Sequence, residues 1–290
     1  LEPTLAAGMV SGLDYLEHFP HECTEQLVSR FLPNVVTYRA LQELGLKDQD
    51  LEEELQRTVA EALARLESRQ NTDGGWGWWK RGTNSQLQVS AYATLGLARA
   101  KAAGFGVSER RLNDAVVFLR RRLDVAVRNE SADLPEALAL YVLAEAGREL
   151  PSAAATALFE SRESLEVTGR AYLALALGAE DPEDPRVVTL LESLRADAAI
   201  TAGGAHWESI VREHWITSTR ATSIVLAALA RLGPDDPLVP PTVRWLMAAR
   251  TKDRWKTTQE TAWAVLAVTD VMVATGELNA AYDWGIDLNS

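Results

Sequence analysis

The sequence predicts an all-α fold, an α/α toroid of about six helical hairpins with an inner and an outer ring of helices. Two observations predict the hairpins and their inner and outer helices. Apolar residues recur three and four apart nearly throughout, with few alternating β-branched runs, and that is the helical period. The helices also come in two kinds. Ser90 to Ala103, Ala137 to Ala146, Ala171 to Gly178, Thr222 to Ala230 and Thr261 to Val273 are rich in small residues and apolar nearly all round, so they require burial on most sides. Segments such as Leu51 to Arg69 are polar on one face and suit an outer wall. Inner and outer helices alternate with a repeat of roughly 35 to 50 residues, a periodicity that fits a ring of hairpins and an open solenoid of helix pairs equally.

In chain order the spacing predicts helices near residues 8–17, 22–44, 48–69, 84–103, 108–122, 133–147, 151–162, 164–177, 185–197, 216–231, 238–250 and 258–275. Their ends are punctuated. Gly45, Gly104, Gly147, Gly178 and Gly233 follow apolar helical runs as C-terminal stops, and Pro135, Pro151, Pro185 and Pro241 sit near helix starts, where a missing N–H costs little. After Gly276 the pattern changes. Leu278 to Ser290 alternates as a strand does, which divides the chain into a helical domain over 1–277 and, over 278–290, a linker or the first strand of a following β-rich domain. Leu1-Glu2-Pro3 reads as a cut inside a longer protein, with no basic and apolar leader.

The chain has 290 residues, 47% of them hydrophobic, enough for a substantial core. With 29 basic and 41 acidic residues the net charge is −12, which argues against nucleic acid or an anionic membrane as the partner. No apolar run approaches the roughly 20 residues that span a bilayer. A single cysteine excludes an internal disulfide framework and a cysteine-rich zinc site, and no cofactor or metal is implied.

That cysteine carries the chemistry. In Pro20-His21-Glu22-Cys23-Thr24-Glu25-Gln26 a glutamine follows it by three positions. If the segment opens a helix, residues i and i+3 share a face, so the Cys23 sulfur and the Gln26 carboxamide carbon meet and, losing ammonia, close an internal thioester. The helix start favours a thiolate and stabilises an oxyanion on the acyl carbon. A lone cysteine is otherwise a small buried hydrophobe.

The heptad resembles the thioester signature of the α2-macroglobulin and complement family, and its bacterial branch fits best. Asp73-Gly74-Gly75-Trp76, Val239-Pro240-Pro241-Thr242-Val243-Arg244-Trp245-Leu246 and Thr258-Gln259-Glu260-Thr261-Ala262 fall where the family has similar segments. The resemblance implies closure of the helices into a toroid, Cys23 as the thiol partner, Gln26 as the acyl donor and Glu25 as the acidic residue between them. It further implies a single-use covalent trap rather than an enzyme, shielded by neighbouring domains until a protease cuts a bait segment, then bonded to that protease through a lysine amine. It implies a periplasmic or cell-envelope location, with membrane attachment only through an anchor outside these residues.

Two features bear on that reading. The loop Arg69 to Trp79 places three tryptophans near one another; either they cap the barrel end, or Trp76 and Trp78 stand beside Cys23 and keep water off the bond. The same loop resembles the Gln-Trp repeats of triterpene cyclases, which share the α/α architecture, but the Asp-x-Asp-Asp acid of those enzymes is absent, and Glu180 to Asp184 and Pro234 to Pro237 read as proline-bounded acidic loops. In complement proteins a histidine from the segment matching Leu123 to Leu134 relays the acyl group to hydroxyls. This chain has none there, and His18, His21, His206 and His214 are expected to be structural or surface residues.

Overall fold

The computed structural model describes residues 5–19, 22–43, 49–82, 84–209, 215, 217–251 and 254–276. Among these, twelve helices run in order: α1 (Leu5–Glu17), α2 (Thr24–Glu43), α3 (Gln49–Ser68), α4 (Leu87–Ala102), α5 (Glu109–Arg128), α6 (Leu134–Glu145), α7 (Ser152–Glu160), α8 (Val167–Glu180), α9 (Pro185–Ala196), α10 (Ser218–Leu232), α11 (Val239–Ala248) and α12 (Thr258–Thr275). Between α9 and α10 lies a short antiparallel hairpin, β1 (Ala199–Thr201) and β2 (Gly204–His206), with Ala199 opposite His206. No helix among the described residues is long and apolar enough to cross a membrane.

The even-numbered helices form the inner ring. Each packs on the next, from α2 through α4, α6, α8 and α10 to α12, and α12 returns to α2. The ring is therefore closed, which periodicity alone left open. The odd-numbered helices lie outside it, α1 bridging α12 and α2, α5 bridging α4 and α6, and α11 resting on α10 and α12. Five inner helices are the small-residue segments expected. The sixth, α2, is more polar and contains Pro33, yet it is the one that carries the cysteine motif.

Aromatic side chains fill the axis of the ring as a column, Trp78, Trp215, Tyr92, Trp263, Tyr172 and Tyr141, with successive ring centroids 5.3 to 6.1 Å apart. At the foot of the column the Tyr141 hydroxyl accepts from Arg99 and Arg231, whose guanidinium groups also hold Glu145 at 2.5 and 2.8 Å. These residues come from the C-terminal turns of the inner helices, where cations offset the helix dipoles. The N-terminal turns meet at the opposite end, and there Cys23 lies.

Three outer-to-inner loops repeat one device. The indole N–H groups of Trp76, Trp207 and Trp255 donate to the carbonyls of Leu66, Leu194 and Leu246, each in or beside the last turn of the preceding outer helix, at 2.7 to 2.9 Å. All three tryptophans are almost wholly buried. A helix ends with carbonyls that lack intrahelical partners, and a buried indole supplies one donor while filling the gap between the rings.

Three departures from the expected elements have physical causes. Gly178 does not end its helix; α8 continues to Glu180, and the glycine lies where a Cβ would press into the Leu232 side chain, so it serves close packing rather than a stop. Helix α5 runs to Arg128 because Leu123 and Ala126 extend its buried face. The β1–β2 hairpin is too short for a periodic signal. Gly45 and the segment 278–290 lie outside the described residues.

Candidate functional site

Cys23 occupies the N-cap of α2, its carbonyl accepting the first helical bond from Leu27 N–H at 2.9 Å. Helix N-termini expose N–H groups, and a capping box satisfies two of them reciprocally: the N-cap side chain accepts from the N3 amide, while the N3 side chain returns to the N-cap amide. Cys23 and Gln26 form that arrangement with sulfur in place of a hydroxyl. The Gln26 N–H points at the Cys23 Sγ at 3.4 Å, and the Cys23 N–H donates to the Gln26 Oε1 at 3.0 Å. A local capping preference thus brings a nucleophilic sulfur beside a carboxamide whose oxygen is already held by a donor.

The turn before the cap is anchored. Glu22 binds Arg65 at 2.6 Å and Arg69 at 2.8 Å, and Arg69 also donates to the Glu22 carbonyl. Thr24 ties the opposite side, its N–H to the Trp78 carbonyl and its hydroxyl to the Gly77 carbonyl, both at 2.7 Å. The glycine-rich loop is thereby pinned to the motif.

Cys23 is 4% exposed. Burial pushes its thiol up from the ordinary value; the Gln26 N–H opposes that, and the Glu25 carboxylate adds to it. The helix start was expected to favour the thiolate, and desolvation outweighs it. A cavity of about 570 Å³ opens onto the pair, lined by Cys23, Glu25 and Gln26, by Trp78, Trp79, Gln88 and Trp215, and by Thr257 to Gln259 at the start of α12. Trp78 lines it, edge-on to Trp215. Trp76 does not, because its indole is committed to the Leu66 carbonyl inside the core.

Glu25 is buried and reaches across the ring. Its carboxylate accepts from Ser29 on its own helix and from Thr258 and Gln259 on α12. The Thr258 segment had stood out only by resemblance; nothing in its own pattern marks it as a partner of residue 25. Trp215 and Gln88 were likewise not singled out as lining residues, since their positions depend on loops and on ring closure.

The histidines divide. His18 is exposed beside Asp14, and His206 stacks on Trp245 of α11 with centroids 4.6 Å apart. His21 and His214 lie outside the described residues. In the acidic loops, Asp184 caps α9 and Asp236 pairs with Arg195 while accepting from Leu238 N–H.

Comparisons with known proteins agree with this geometry. Residues 2–126 match the family model described as the A-macroglobulin TED domain. An α2-macroglobulin of Thermotoga maritima is 29% identical over 247 residues, covering 77% of this chain and 14% of that protein. Thioester-containing protein 1, allele R1, of Anopheles gambiae is 28% identical over 92 residues, 32% of this chain and 7% of that protein. The chain thus spans a small part of the length of these relatives. In structure, native Escherichia coli α2-macroglobulin from domain MG7 to the C-terminus superposes with a TM-score of 0.70 and 23% identity over 91% of this chain and 42% of that one. Salmonella α2-macroglobulin reacted with methylamine gives 0.73 and 21%, over 91% and 17%. The motif and residues 2–126 thus match the thioester (TED) domain of the α2-macroglobulin and complement family, and the closed ring has the fold of the corresponding part of these α2-macroglobulins.

Proposed function

We propose that this chain is the acyl-donating domain of a bacterial α2-macroglobulin-like inhibitor that traps attacking proteases covalently. The observation that carries the reading is the Cys23–Gln26 capping box, which sets sulfur and carboxamide together under a partly enclosing aromatic wall. An intramolecular pair held this way reacts at a high effective concentration. Once the bond is closed, an amine attacks the Gln26 acyl carbon; the carbon–sulfur bond breaks, the Cys23 thiolate leaves toward the Gln26 N–H, and the amine proton neutralises it. The Cys23 N–H stabilises the oxyanion formed on the way. The product is an amide joining target and trap, so nothing turns over.

Trp79, 60% exposed, and Trp78 present an apolar rim that a neighbouring domain of the full-length chain would cover before activation. The target is a protease lysine, and the setting is periplasmic or at the cell envelope. With no histidine in Leu123 to Leu134, direct attack by a neutral amine is preferred over hydroxyl transfer.

The test is intact mass. Full-length protein should weigh about 17 Da less than its sequence, the ammonia lost on closure, and methylamine should add at position 26 and free one thiol. In equal glycerol and methylamine the amide should dominate. An unmodified mass with Cys23 titratable from the outset removes the trap reading, and a dominant glycerol ester removes the amine preference.

A further inference from the structure

The two oxygens of Glu25 are treated unequally. Oε1 accepts three short bonds, from Ser29 Oγ at 2.6 Å, Gln259 Nε2 at 2.9 Å and Thr258 Oγ1 at 3.0 Å. Among the described residues Oε2 has only a longer approach from Thr258 at 3.3 Å and faces the Cys23 Sγ at 3.9 Å. One oxygen is saturated and the other is left for the sulfur.

What fixes this asymmetry lies deeper. The Gln259 carboxamide could in principle turn either way, but its Oε1 accepts from Arg220 Nε at 3.2 Å and from Trp263 Nε1 at 3.1 Å, two groups that only donate. Its NH₂ must therefore face Glu25. Arg220 is itself 1% exposed, a buried cation that meets the Tyr172 hydroxyl at 2.9 Å and the ring faces of Trp263 and Tyr172. Among the described residues its Nη1 has no hydrogen-bond partner. A buried guanidinium without a carboxylate in contact is costly, and here one amide separates it from the buried acid. Tilting Gln259 away would strand both charges.

We infer that Glu25 Oε2 is the proton acceptor that closes the Cys23–Gln26 bond, and that Gln259 and Arg220 are positioning residues that aim it. The inference rests on the thioester reading above. As the sulfur attacks the Gln26 carbonyl carbon, the thiol proton passes to Oε2; the carbon–sulfur bond forms, the carbon–nitrogen bond breaks, and the same proton moves to the departing NH₂, which leaves as ammonia. No oxidant or further reactant is needed. A buried thiol that resists ionising makes an adjacent base useful, because few molecules carry a free thiolate at neutral pH.

The experiment uses the full-length chain. Ammonia opens the bond and regenerates the Gln26 carboxamide with a free Cys23 thiol; after its removal, reclosure is followed by loss of titratable thiol and of about 17 Da. In wild type the rate should change little between about pH 6 and 8, because a base fixed beside the sulfur takes the thiol proton and bulk ionisation of the thiol is not required. Glu25→Gln, close in shape, should retain its melting temperature and reclose at least about 100-fold more slowly, with a rate that climbs with pH as free thiolate takes over. Glu25→Asp should recover part of the rate, and Gln259→Leu, which keeps the carboxylate but frees it, should reclose about tenfold more slowly or worse.

A wild-type rate that rises tenfold per pH unit across that range would overturn the inference whether or not any variant folds. So would folded Glu25→Gln reclosing at the wild-type rate. Wild-type protein that never shows the mass deficit would instead overturn the thioester reading itself.

Discussion

Cys23 holds a position where helices ordinarily carry serine or threonine, and the Gln26 side chain makes the return bond that a capping box calls for. The Cys23–Gln26 pair is thus a common helix cap with one atom changed, which is why its geometry was legible: spacing of three residues at a helix start settles it with no tertiary information. Glu25 was legible as an acid and not as a hub, because the donors that hold it come from α12 and from the interior of the ring. At this scale the expected signature of the bond is thermal. With Gln26 activated as an acyl group, its own backbone nitrogen attacks the side-chain carbonyl, forms a pyroglutamyl ring and leaves the Glu25–Gln26 peptide open to hydrolysis. Mild denaturing heat should cut the chain there, as two fragments on a gel, and Cys23→Ala should abolish the cut. Equal fragmentation of the variant would mean that the sulfur is not what activates Gln26.

At the scale of elements, the loop from α3 to α4 does two tasks with different residues. Trp76 closes the end of the outer helix, as Trp207 and Trp255 do elsewhere, while Gly77 and Trp78 grip Thr24. Trp207→Phe removes the indole donor from the buried Leu194 carbonyl, at a cost of about 1 to 3 kcal/mol, while Trp76→Phe should cost less, because the Leu66 carbonyl also accepts from Arg69 N–H at 3.2 Å. Thermal or denaturant unfolding measures both losses. Only Trp76→Phe, which loosens the loop gripping the motif, should also speed loss of the bond to water; equal hydrolysis in both variants would show that the loop does not guard the site. The helices themselves were readable from apolar spacing and from glycine and proline punctuation. What escaped was whatever depends on a neighbour: Gly178, set by Leu232, and the division of the three loop tryptophans between core and cavity.

Across the whole molecule the inner helices set two unlike chemistries at the two ends of the ring, the Cys23–Gln26 pair at their N-termini and a charged cluster at their C-termini. Burial alone would raise Glu145; Arg99 and then Arg231 outweigh it and hold the carboxyl below its ordinary range. A depressed carboxyl contributes stability above its unfolded pKa and loses it as pH falls through the folded value. Glu145→Gln should therefore lower stability at pH 7 by about 3 kcal/mol, by leaving two buried guanidinium groups short of an acceptor, and the gap from wild type should narrow below the usual carboxylate range. Denaturant titrations from neutral pH to about pH 3 measure it. A gap that stays constant would show that the pair does not titrate with folding. Closure of the ring also has a consequence in time. Two of the three donors that hold Glu25, Thr258 and Gln259, lie 233 and 234 residues further along the chain. At roughly 5 to 20 residues per second a ribosome delivers them some 10 to 50 s after the motif. Through that interval the network that holds the Glu25 carboxylate beside Cys23 is incomplete, so on the proposed mechanism closure of the bond waits for the finished ring, and the chain is spared carrying an activated acyl group while its walls are still being made.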